Sequence, residues 1–133
     1  MRLFKKPSLK KEQTLSSSLE KHGWPDHVVN LDENTFDDFI KGYPYAVVDF
    51  WASWCGPCKA MGPRLRRVSK LYQGTVAFGK LDVQKYKKTA DRYHVRGIPH
   101  LVFFHNGKVV SSVTGVRSIG DLKQAVEAMI GFS

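Results

Sequence analysis

The stretch Ala46-Val47-Val48-Asp49-Phe50-Trp51-Ala52-Ser53-Trp54-Cys55-Gly56-Pro57-Cys58-Lys59 decides the reading of this chain. Ala46–Trp51 is a nearly all-apolar run, the pattern of a central strand covered on both faces. Pro57 suits the first turn of a helix, because its missing N–H has no partner to lose there. A strand therefore turns sharply into a helix at Trp54–Gly56, which places Cys55 at the N-cap beside free backbone N–H groups. The partial positive charge of the helix start favours a thiolate there, a better nucleophile and a better leaving group than an ordinary thiol. Cys58 lies one turn further in, close enough to pair with Cys55, and is expected to be the less exposed sulfur. One sulfur attacks and the other resolves.

Outward from this stretch the chain alternates strand and helix. Val28–Leu31 reads as a short strand. Asn34 offers an N-cap oxygen to a helix with Phe36, Phe39 and Ile40 on its apolar face, ending at Gly42. After the cysteines, Met61, Leu65, Val68, Leu71 and Tyr72 recur at helical spacing up to Gly74, and Pro63 is expected to kink that helix. Val76–Val83 reads as a third strand, and Lys87–Tyr93 as a short helix leading to Gly97-Ile98-Pro99. Leu101–His105 and Lys108–Thr114 flank Asn106-Gly107, whose tolerance of positive φ signals a hairpin. Ser118 caps a last helix that turns Ile119, Leu122, Val126, Met129 and Ile130 inward. The order β-α-β-α-β-α-β-β-α implies an α/β fold with a mixed sheet and helices on both faces.

Composition narrows the possibilities. At 133 residues and 42 % apolar, the chain has the size of one globular domain. Its longest apolar run, Leu101–Phe104, is far short of a membrane span. The net charge of +9 raises nucleic acid or an anionic membrane as partners. Lys and Arg nevertheless occur in runs of no more than two, and no zinc-finger or RNP-type motif is present, so nucleic-acid binding is not expected. The start Met1-Arg2-Leu3-Phe4-Lys5-Lys6 is charged like a secretory signal, yet Pro7, Lys10, Lys11 and Glu12 interrupt any apolar region after it. Residues 1–25 read as a basic, flexible extension, with Leu9, Leu15 and Leu19 at most lining a weak helix; the domain itself is assigned to residues 26–133.

Cys55 and Cys58 are the chain's two cysteines. A bridge across so short a gap restricts the unfolded chain little, which leaves redox chemistry or half of a zinc site. No second ligand pair stands at finger spacing, and His94, His100 and His105 bracket a strand entry, so redox chemistry leads.

Val48–Lys59, with its Trp-Cys-Gly-Pro-Cys core, resembles the signature of the thioredoxin family. Pro63, Lys80, Gly97-Ile98-Pro99, Asn106-Gly107 and Gly115 stand at matching intervals, and the resemblance covers roughly residues 26–133. It implies the thioredoxin fold, a five-stranded mixed sheet flanked by four helices. It also implies a thiol–disulfide oxidoreductase that reduces protein disulfides with no bound cofactor and is recharged by a separate reductase. In that resemblance Cys55 attacks, Cys58 resolves, Asp49 is the buried carboxylate that assists proton transfer, and Lys80 is its neighbour. Pro99 matches a cis-proline, Ile98 supplies backbone groups to a substrate strand, and Trp54, Gly56, Pro57, Gly97 and Gly115 belong to the rim that receives substrate. His100 stands where many members carry Thr, and a titratable ring there would bear on substrate choice or pH response. A cytoplasmic monomer is expected.

Each residue has a plainer reading. An Asp between Val48 and Phe50 is costly unless it works or is paired. Lys80 alone would be a solvated strand residue, Pro99 a strand-starting proline, Trp51 core, and His94 and His105 surface or edge positions. Two functional alternatives stay open: an oxidant or isomerase of an oxidising compartment, and a binding module whose redox activity is incidental. Gly-Pro between the cysteines weighs against the first and the Cys55, Cys58, Asp49 set against the second.

Overall fold

The computed structural model describes residues 23–131; the weak helix and most of the extension expected for residues 1–25 lie outside them. Nine elements follow in the order read from the sequence: β1 Val29–Leu31, α1 Phe36–Gly42, β2 Tyr45–Trp51, α2 Gly56–Leu71, β3 Ala77–Asp82, α3 Lys87–Arg92, β4 His100–His105, β5 Lys108–Thr114 and α4 Ile119–Gly131. They build one mixed sheet of order β1-β3-β2-β4-β5. β1 and β2 run parallel to β3, β4 runs antiparallel to β2, and β5 antiparallel to β4.

The alternation of β2 sorts the core into two halves. Ala46, Val48 and Phe50 join Phe36, Phe39 and Ile40 of α1, with Tyr93 after α3, on one face. Val47 joins Met61, Leu65 and Val68 of α2 and Leu122, Val126 and Met129 of α4 on the other. A strand buried on both faces has no polar side to mark it in sequence, which is why its near-continuous apolar run was the informative signal.

Local chemistry accounts for most boundaries. Asn106 (φ 51) and Gly107 (φ 82) form the β4–β5 turn in the left-handed region that a tight hairpin demands. Ser118 Oγ accepts from the Asp121 amide at 3.0 Å at the start of α4. α2 runs through Pro63 as one helix.

Two sequence expectations are corrected. Asn34 does not cap α1: Asp32 Oδ1 accepts the amides of Asn34 (2.8 Å) and Thr35 (2.9 Å) in a preceding turn, so the helix starts later, with Thr35 at the N-cap. Leu71 is 57 % exposed rather than inward, because at 100° per residue it lies about 90° round α2 from the stripe of Met61, Leu65, Val68 and Tyr72. Ordered contacts also begin ahead of Asp26. The Trp24 ring packs on Tyr43 with centroids 5.2 Å apart, and the Tyr43 hydroxyl donates to the Gly23 carbonyl at 3.1 Å.

β1 and α1 close so tightly on β3 that a Cβ at Gly79 would stand 2.8 Å from Leu31 Cδ1 and 3.1 Å from Phe39 Cε2. Gly79→Ala should therefore cost about 1–3 kcal/mol by overpacking, read as a lower urea midpoint at unchanged m-value.

Candidate active site

The C-terminal end of β2 delivers Cys55 to the start of α2, where it is the N-cap residue. The Cys58 amide donates to Cys55 Sγ at 3.1 Å, so the sulfur takes one of the N–H groups that a helix start leaves unpartnered. The two cysteines form a disulfide with a Cα–Cα distance of 5.2 Å. The expectation of a less exposed Cys58 does not hold in this oxidised state. Cys55 is 4 % and Cys58 5 % exposed, because Cys55 Sγ is drawn under the loop before β4, 3.9 Å from the Ile98 carbonyl oxygen, with Ala52 and Trp51 packed around the pair.

That loop carries a cis Ile98–Pro99 peptide bond. Its exit is held by the Gly115 amide donating to the Pro99 carbonyl at 2.8 Å. Gly97, Ile98 and Gly115 are half-buried, with Ile98 packed against the disulfide, while Gly56 and Pro57, between the two cysteines, are exposed. Trp54, 67 % exposed, stands at the rim. Ile98 precedes the first residue of β4, so its N–H and C=O lie outside the strand ladders. A thread of apolar groups and backbone therefore surrounds a disulfide whose sulfurs are nearly covered.

Beneath the disulfide, Asp49 and Cys58 line one cleft of about 230 Å³ with Trp51, Lys59, Gly62, Pro63, Arg66 and Lys80. Asp49 is buried, and its Oδ1 has no hydrogen-bond partner among the described residues. Burial disfavours the carboxylate and pushes its pKa up to about 7, against the opposing pull of the Lys80 ammonium. Lys80 is the residue directly across from Asp49 in the β2–β3 register, and its Nζ sits 4.9 Å from the Trp51 ring centroid. The strand pairing thus brings Asp49, Cys58 and Lys80 to one cleft, from positions 31 residues apart in the chain at the extremes.

Set against known proteins, the thioredoxin family model matches residues 27–128. A thioredoxin from Pseudomonas aeruginosa is 38 % identical over 106 residues, spanning 79 % of this chain and 98 % of that protein. Thioredoxin C-2 from Corynebacterium nephridii is 43 % identical over 104 residues, 77 % of this chain and 96 % of its own. The chain belongs to the thioredoxin family. A solved thioredoxin variant from Halobacterium salinarum superposes with a TM-score of 0.74 at 31 % identity, covering 78 % of this chain and 91 % of that one. Membership, together with a C-x-x-C pair at disulfide distance, makes this thioredoxin-family chain a thiol–disulfide oxidoreductase. No helix among the described residues is long and apolar enough to cross a membrane.

His100 is a buried strut. Its Nδ1 stands 2.8 Å from Thr114 Oγ1, and burial lowers its pKa, so the ring is neutral at physiological pH. Thr114 in turn crowds Gly97, whose added Cβ would lie 3.2 Å from Thr114 Cγ2. Sequence reasoning missed Thr114 and Arg66. Neither belongs to a motif, and only the β4–β5 register and the turn of α2 bring them to the site.

The raised carboxyl pKa has a signed consequence. Between about pH 4 and 7 the folded chain holds a proton on Asp49 that the unfolded chain has lost, so this residue's contribution to stability falls as pH rises through that window. Asp49→Asn should leave oxidised-state stability little changed near pH 4 and raise it above pH 7 by something on the order of 3–4 kcal/mol, measured by denaturant titration at the two pH values. Lys80→Met removes the opposing charge and should move the midpoint of that pH dependence upward.

Proposed function

We propose that this protein-disulfide reductase works by two successive exchanges at Cys55 and Cys58, with Asp49 as the proton acceptor for the second. In the reduced protein the Cys55 thiolate attacks one sulfur of a substrate disulfide. The substrate S–S bond breaks, a substrate thiolate leaves, and a mixed disulfide forms. Cys58 then gives its proton to the Asp49 carboxylate and attacks Cys55 Sγ. The second substrate thiolate leaves and the Cys55–Cys58 disulfide remains, so two electrons have passed to the substrate.

The observation that carries this reading is the shared cleft of Asp49 and Cys58. A covered thiol cannot hand its proton freely to bulk water, and a carboxyl with a pKa near 7 exchanges protons at neutral pH. Lys80 adjusts that carboxyl as a positioning residue. Trp54, Gly56, Pro57, Gly97 and Gly115 receive the substrate, while Ile98, ahead of cis Pro99, offers backbone groups to an extended substrate segment. The chemistry needs no bound cofactor, and a separate thioredoxin reductase restores the dithiol. A monomer acting in the cytoplasm completes the proposal.

Cys55→Ser should abolish turnover on a protein disulfide, whereas Cys58→Ser should accumulate the mixed disulfide, visible by intact-mass measurement. Asp49→Asn should slow resolution of that intermediate at pH 7 by roughly 10²-fold while leaving the first attack within a few-fold. Stopped-flow kinetics separates the two steps; equal slowing of both would take Asp49 out of the proton path.

A further inference from the structure

α2 carries Lys59, Arg64, Arg66, Arg67 and Lys70 and not a single Asp or Glu. Lys59, Arg66 and Lys70 are spaced by seven and four residues, which at 100° per residue puts them within about 40° of one another on a single stripe. Lys59 adjoins Cys58, and Lys70 lies about 18 Å further along the helix at 1.5 Å per residue. Arg66 lies along the stripe: a Cβ on Gly62 would meet its Nη1 at 3.6 Å. Lys80 joins Lys59 and Arg66 at the cleft. On the opposite flank, Arg64 Nη1 donates to the Arg117 carbonyl at 3.1 Å, and Arg117 Nη1 to that of Val116 at 3.1 Å.

Arg64 and Arg117 are held by carbonyl oxygens and Lys80 lies over the Trp51 ring; the ion pairs Asp26–His27, Lys87–Asp91 and Arg92–Asp37 engage none of these cations. Asp82, close by at the end of β3, spends its Oδ1 on the amides of Gln84 and Lys85. Asp32, Glu33, Asp37 and Asp38 belong to the β1–α1 segment, and α1 packs on the other face of the sheet. α2 thus carries cations from beside the disulfide along its exposed length, with no acidic residue of its own.

We propose that the exposed flank of α2 is a docking surface for proteins that carry an acidic patch next to the disulfide to be reduced. This rests on the reading of Cys55–Cys58 as the reductant, and it adds which substrates that reductant meets fastest. Carboxylates alongside the target disulfide would neutralise the stripe while the rim takes the disulfide itself. A protein partner fits better than a nucleic acid. The exposed flank offers no row of aromatic rings for bases to stack on.

The test uses three synthetic peptides with one Cys-Gly-Ser-Cys disulfide loop, flanked on each side by eight Glu, eight Ser or eight Lys, long enough to span about 26 Å of extended chain. At low ionic strength the reduced protein should react with the Glu peptide at least about tenfold faster than with the Ser peptide and slowest with the Lys peptide. The spread should collapse in 1 M salt, where screening reaches down to about 3 Å. Arg67→Glu/Lys70→Glu, neither of which lines the cleft, should keep the Ser-peptide rate and erase the Glu preference. Equal Glu and Ser rates at low salt, or a preference that survives the double substitution, would overturn the docking surface while leaving the reductase intact. Failure to reduce any of the three peptides would overturn the reductase reading instead. A single-stranded oligonucleotide that blocks the Glu peptide at physiological salt and binds through Arg67 and Lys70 would reassign the face to nucleic acid.

Discussion

The rest of the site depends on one hydrogen bond, from the Cys58 amide to Cys55 Sγ. Helix starts always leave N–H groups without partners, and a cap oxygen usually takes one of them. Here a sulfur takes it, so the group that stabilises the start of α2 is also the group that attacks in the proposed exchange. The strand before it is held from both sides, by β3 and β4, and both faces of that strand are buried. The sulfur's position is therefore set by the end of a central, doubly covered strand and the start of a helix, the arrangement that keeps reacting groups aligned without a cost at the moment of reaction.

Asp49 belongs to the same logic at the opposite sign. A carboxyl with a buried, unpartnered oxygen is a liability to the fold. The chain retains it in the middle of its best-packed strand, with Lys80 across the ladder as partial compensation. In the proposed mechanism stability is conceded where proton exchange gains, and the concession is confined to one cleft.

Much of this was legible in the sequence, for identifiable reasons. β2 announced itself because a doubly covered strand is apolar throughout, and the Cys55 cap because Pro57 fits a first helical turn. The β4–β5 hairpin followed from Asn106-Gly107. What stayed hidden was set by tertiary contact. Asp32 displaced Asn34 as the organiser of the turn before α1 through bonds to two amides. Leu71 kept helical spacing with its neighbours and still fell off the buried stripe. The near-equal cover over the two sulfurs depends on Ile98, 43 residues beyond Cys55, and no local pattern encodes that approach.

The contact of Trp24 and Gly23 with Tyr43 also fixes where the chain enters the domain. Tyr43 precedes β2, at the end of that strand away from Cys55. Seven residues of extended backbone, about 20 Å, separate the entry point from the redox end. The first described residue is thus moored at the back of the molecule, and the domain holds its reactive end outward from that point like a reading head on a fixed arm.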